Sequence, residues 1–142
     1  RYLYLIDRGR VAHPLGRRFA WHPRFSLDVA AMRSALGALR GKHDFSAFCA
    51  APGRGRTPTC TVRSARLVER GVSIAIALSA DSFLHHMVRN IVGSLVEVGR
   101  GAQPASWMAD LLAGRDRALS GPTAPPQGLM LVRVLYGEAG RG

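Results

Sequence analysis

Apolar and polar positions recur along this chain in two periods, and the switches between them mark out the elements. Tyr2 to Ile6 is a short aromatic and apolar run closed by Asp7-Arg8-Gly9, which predicts a strand ending in a turn. Val11 to Phe25 reads as irregular, interrupted by Pro14, Gly16 and Pro23. Ser26 is then expected to cap a helix with Val29, Met32, Leu36 and Leu39 on one face, and Gly41 to stop it. His43 to Cys49 leads into a basic loop running from Ala51 to Pro58. Val62 to Glu69 and Val72 to Leu78 predict two strands, with Arg70-Gly71 at a tight hairpin turn. The second strand alternates β-branched with small residues, so its small side chains are expected to face a packed helix.

Asp81 or Ser82 is expected to cap a helix carrying Leu84, Met87, Val88, Ile91, Val92 and Leu95. A further helix should start after Pro104 and run through Trp107, Met108, Leu111 and Leu112. Ser120 to Gln127 reads as loop, and Leu129 to Tyr136 alternates like a final strand. The order is strand, helix, strand, strand, helix, helix, strand. It predicts one α/β (α+β) domain over residues 1–142, a mixed, mostly antiparallel sheet backed by helices.

Composition narrows the function. Hydrophobic residues make up 47% of 142, enough for a packed core. Twenty Lys+Arg face nine Asp+Glu for a net charge of +11, and Lys42 is the single lysine. That balance favours polyanions, and arginine turns it toward RNA, since its planar fork grips phosphate and stacks on bases. Cys49 and Cys60 form neither a CxxC pair nor a disulfide framework, which fits a reducing, cytoplasmic setting. No apolar run approaches the roughly 18 residues of a membrane span. The chain opens at Arg1-Tyr2-Leu3-Tyr4, already inside a strand-like pattern, as expected of a piece of a longer protein.

The segment Asp81 to Asn90 carries the most unusual chemistry. On the expected helix, His85 would lie one turn from Arg89 and His86 one turn from Asn90. A ridge of donors would then stand beside the core near a helix start, where anions are favoured. A metal site is the competing reading, but paired histidines need further ligands and there is no HExxH or Cys/His cluster. A structural reading, in which these side chains satisfy nearby backbone, also stands. Tyr2 and Tyr4 share one strand face, which suits stacking on an unpaired base or equally cross-strand packing. Gly53-Arg54-Gly55-Arg56 is only loosely like a phosphate-binding loop. Asp28 and Asp81 look like helix-start residues, Asp44 has no evident structural place, and no acid/base pair emerges. The residues by themselves support a basic α/β domain that binds RNA.

Five strings in order carry a resemblance: Arg1-Tyr2-Leu3-Tyr4, His43 to Phe48, Arg56-Thr57-Pro58, Phe83 to Gly93 (FLHHMVRNIVG) and Gly128 to Val132. Together they resemble the tRNA pseudouridine synthase A (TruA) family, over its carboxy-terminal half. The resemblance implies a pseudouridine synthase-like domain in a cytoplasmic homodimer that converts uridine to pseudouridine in the tRNA anticodon stem-loop. A single aspartate breaks the glycosidic bond, the uracil turns and is rejoined through carbon, with no metal or cofactor. The base must leave its stack to be reached. By resemblance, Tyr2 lies against the uracil, Arg89 pairs with the catalytic aspartate, and Leu129 closes the pocket. His85 and His86 support that wall, and Arg54 and Arg56 join them in gripping RNA. The family's Gly-Arg-Thr-Asp-Ala-Gly-type motif is absent from these residues, so the nucleophile is carried over to no position. The chain alone is therefore expected to be inactive. Cys49 and Cys60 stand where relatives often carry arginine, which would weaken backbone contacts. The alternatives are a stand-alone RNA-binding module without catalysis, and a part acting mainly in assembly.

Overall fold

A computed structural model of the chain describes residues 1–9, 19–49 and 58–132. Five strands form one sheet: β1 (Tyr2–Asp7), β2 (Gly41–Asp44), β3 (Thr59–Arg70), β4 (Ser73–Ala80) and β5 (Leu129–Leu131). Their spatial order is β2-β3-β4-β1-β5. Every pair of these strands is antiparallel. The one parallel contact among the described residues is an isolated bridge between Ile6 and Trp21, so the expected mixed sheet reduces to an antiparallel one.

Helices α1 (Val29–Gly37), α2 (Met87–Gly99) and α3 (Trp107–Gly114) contribute to the core that covers one face of this sheet. On β4, Ile74, Ile76 and Leu78 are buried in that core. The bulky side chains therefore face the helices, and the small Ala75 and Ala77 take the other face. That reverses the expected orientation: filling the space between sheet and helix takes large side chains.

Several boundaries moved for local reasons. α1 is capped by Asp28, whose carboxylate accepts from Ala31 N at 3.1 Å, rather than by Ser26. The hairpin turn is Gly71-Val72, one residue beyond the expected pair; Arg70 faces Ser73, and Gly71 has φ +57°. β2 lacks any apolar alternation in Gly-Lys-His-Asp, yet it pairs with Thr59 to Val62 as a polar edge strand. β5 begins at Leu129 as expected; residues 133 onward lie outside the described part. α3 falls where Pro104 placed it, with a preliminary turn closed by Trp107 N donating to Pro104 O at 3.0 Å.

The largest correction concerns α2. It was expected to start at Asp81 or Ser82, but it starts at Met87. Asp81 instead accepts from the strand amide of Thr61 at 2.9 Å and returns its own N–H to Thr61 O, which keeps it on β4's side of the sheet. His85 and His86 form a turn closed by Met87 N donating to Leu84 O at 3.0 Å, with His86 a non-glycine residue at φ +60°. Cys49 and Cys60 are both free and buried in the core, so neither stands at an RNA-facing surface.

Candidate nucleic-acid groove

The first residues of β1, the turn before α2 and the start of β5 meet at one corner of the sheet. Tyr2 faces Leu131 across the β1–β5 ladder, and Leu129 faces Tyr4 two pairs further along. From the other side comes Phe83, whose ring meets that of Tyr2 edge to face with centroids 4.9 Å apart. A groove of about 420 Å³ opens there, lined by Tyr2, Phe83, His85, His86, Arg89 and Leu129, with Pro126 at one edge.

Arg89, in the first turn of α2, is held by what it donates to. Its Nε bonds Ala124 O at 2.8 Å, while Ala124 N donates to Arg89 O at 3.0 Å. Among the described residues no carboxylate forms an ion pair with it. Its charge is felt nearby. The Tyr4 phenol is pushed far up by burial, against the opposing pull of Arg89, and its hydroxyl donates to Pro125 O. His86 is held below the ordinary imidazole range by the cost of burying its charge, then by His85 and Arg89. The His85 and His86 rings stack 3.8 Å apart at the groove's rim.

The sequence singled out Tyr2, Arg89, Leu129, His85 and His86, and all five line this groove. The other assignments divide. Tyr4 shares Tyr2's strand face but is 0% exposed, so it has no ring surface left for a base. Asn90 was expected on an exposed ridge beside His86; it is 1% exposed and donates to Phe48 O at 2.9 Å. The ridge does not exist because His85 and His86 precede the helix. Arg54 and Arg56 lie outside the described residues. Asp44, which had no place in the sequence reading, closes a local turn into the short helix Ser46–Phe48: its Oδ1 accepts from the N–H and the hydroxyl of Ser46 at 2.8 and 2.6 Å. It sits on β2, three strands from β1.

Sequence reasoning missed Phe83 and Pro126 as lining residues, although Phe83 begins the FLHHMVRNIVG string. It also read Ser120 to Gln127 only as loop, a stretch that the structure wraps against α2. A second, larger depression of about 680 Å³ lies by the β3–β4 turn, among Arg8, His22, Arg24 and Phe25. It gathers none of the residues the sequence singled out, and Arg8 there is already engaged by Glu69 at 2.8 Å and Gly71 O at 2.6 Å.

The groove combines an aromatic ring, an apolar floor and a guanidinium with no carboxylate partner among the described residues. Such a set suits a planar base together with an anion. Comparison with known proteins agrees in kind. A family profile described as tRNA pseudouridine synthase matches residues 35–137. The chain is 45% identical over 137 residues to tRNA pseudouridine synthase A of Myxococcus xanthus, covering 96% of this chain and 52% of that protein. The protein of that name from Bordetella petrii is 46% identical over 135 residues, covering 95% and 50%. That of Xanthomonas euvesicatoria pv. vesicatoria is 46% identical over 143 residues, covering 96% and 53%. This chain belongs to the tRNA pseudouridine synthase family. It spans about half the length of the curated relatives it matches.

Proposed function

We propose that this chain supplies the carboxy-terminal wall of the active site of a tRNA pseudouridine synthase, acting on uridine in the anticodon stem-loop. The observation that carries this reading is the convergence of Tyr2, Arg89 and Leu129, distant in sequence, on one groove. Tyr2 lies against the flipped uracil and Leu129 closes the pocket over it. Arg89 holds the attacking aspartate ionised, because a cation beside a carboxylate lowers its pKa. His85 and His86 at the rim meet the RNA backbone, with Arg54 and Arg56. No metal or organic cofactor takes part, and the protein works as a cytoplasmic homodimer on its tRNA.

None of the described residues that line the groove is acidic. Five of the chain's aspartates are occupied elsewhere: Asp7, Asp28, Asp44, Asp81 and Asp116 each accept a backbone N–H. That favours a second reading for the 142-residue polypeptide by itself, as a module that binds RNA without turnover. The nucleophile then belongs to another part of a longer protein.

The test is a pseudouridine assay on unmodified tRNA, with this polypeptide alone and joined to an aspartate-bearing half of a relative. Product from the joined protein only, abolished by Arg89→Ala with much of the tRNA binding retained, is the expected result. Normal turnover by Arg89→Ala would remove the role given to Arg89. Product from this polypeptide alone would place the nucleophile within it.

A further inference from the structure

The stretch from Arg117 to Gly128 crosses the amino-terminal half of α2 as a strap, and its hydrogen bonds converge on one buried amide. Asn90 donates from Nδ2 to Phe48 O at 2.9 Å. Its Oδ1 accepts from the Thr123 hydroxyl at 2.6 Å and from Arg117 Nη2 at 3.1 Å. The Thr123 hydroxyl also accepts from Arg117 Nη2 at 3.0 Å, so it is used as donor and acceptor at once. Arg117 Nη1 reaches the Ser120 hydroxyl and Gly121 O. Gly121 N donates to Ser94 Oγ at 2.9 Å, a second buried anchor on α2. The strap lies so close to the helix that a methyl group on Gly93 would overlap the Pro122 carbonyl.

The next residue after Thr123 is Ala124, the one that exchanges two hydrogen bonds with Arg89. The bond at Nε fixes the edge of a planar group whose two Nη atoms have no partner among the described residues. Where that guanidinium lies is therefore decided by where Ala124 lies, and Ala124 is placed by its neighbour's bonds to Asn90 and Arg117. We propose that Asn90, Thr123 and Arg117 are positioning residues that aim the Arg89 guanidinium into the groove through the Ala124 carbonyl. None of the three lines the groove itself. The proposal rests on the reading of Arg89 given above.

The test is single-turnover pseudouridine formation, with tRNA affinity measured alongside, in the full-length protein that contains this chain. Thr123→Val keeps the shape and removes the hydroxyl; it is expected to slow turnover by roughly ten- to a hundredfold, as small misplacements do, while tRNA affinity holds. Thr123→Ser, which restores the hydroxyl, should recover most of the rate. Arg117→Gln, at a half-exposed position, is the second variant and should repeat the pattern if Thr123→Val folds poorly. The decisive arm is Arg89→Lys, whose single Nζ cannot bond Ala124 O and reach into the groove at once, so aiming through Ala124 is already lost. In that background Thr123→Val and Arg117→Gln should add no further loss, because mutations that act through one contact are non-additive. Equal losses in both backgrounds, or unchanged turnover in Thr123→Val and Arg117→Gln, would overturn the proposal and leave the groove reading intact. Normal turnover in Arg89→Lys would overturn both.

Discussion

The Tyr2 ring stands edge-on to the ring of Phe83, with centroids 4.9 Å apart and planes at 86°. The contact joins the first strand to the turn before α2 and fixes the attitude of the tyrosine proposed to face a base. Phe83→Ala should lower stability by about 2 kcal/mol, since it removes a half-buried ring and an aromatic pair. It should also slow turnover in the full-length protein by leaving Tyr2 free to swing. Chemical denaturation and a single-turnover assay read the two effects, and Phe83→Leu should recover most of the stability but less of the rate.

Gly93 lies in the middle of α2, where alanine is ordinarily the better helix former. Here the sign reverses, because an added methyl meets the Pro122 carbonyl. Gly93→Ala should destabilise the domain by about 1–3 kcal/mol, the usual cost of overpacking. A rise in the denaturation midpoint would show that the strap gives way freely.

His86 is held below the ordinary imidazole value by burial first, then by the charges of His85 and Arg89. A group whose folded pKa is depressed binds its proton more readily in the unfolded chain. Its contribution is thus constant above the unfolded value of 6.5 and turns destabilising as pH falls below it. NMR titration should place His86 below 6.5, and Arg89→Ala should move it upward by removing one of the repelling charges. An unmoved titration would disconnect the rim from Arg89.

Asp44 carries a structural role that can be tested directly. Against the penalty of partial burial, the Ser46 hydroxyl and N–H and the charge of Arg115 hold its carboxyl below the ordinary value. The stabilisation is present above the unfolded pKa of 3.8 and is lost as pH falls through the folded one. Asp44→Ala should cost about 1 kcal/mol, as the loss of part-buried side-chain hydrogen bonds does, and leave turnover of the full-length protein unchanged. Abolished turnover in a folded Asp44→Ala protein would bring it back as a candidate nucleophile.

Much of this architecture was legible in the residues. Alternation at Tyr2 to Ile6 and around Ile74 marks strands, and the spacing of Val29, Met32 and Leu36 marks a helix; each reflects a single buried face. Short polar signals were harder. Asp81 has the same side chain whether it caps a helix or accepts from a strand amide, and only the neighbouring Thr61 N–H decides. β2 has no apolar face of its own and exists because β3 offers it an edge. Tyr2, His85, His86 and Arg89 stood out from the residues themselves, but Leu129 and the joining of all five in one pocket came only through the resemblance, since positions 2, 85–89 and 129 share no local pattern. The strap was invisible because its order comes from Asn90 and Ser94, polar residues that composition places on a surface and the fold places inside.

One feature of the sheet bears on how this domain comes into being. β1 is the earliest described strand in the sequence, yet it lies between β4 and β5, the last two described strands. As the chain leaves the ribosome, Tyr2 to Asp7 emerge without either of these neighbours and must wait some seventy residues for Ser73. β3 and β4 can zip through their two-residue turn as soon as they appear, but the groove needs Leu129 as well. Such long-range closure is slow, and unpaired apolar edges invite wrong partners in the interval. The corner proposed to hold the base is thus among the last described parts of the domain to form during synthesis.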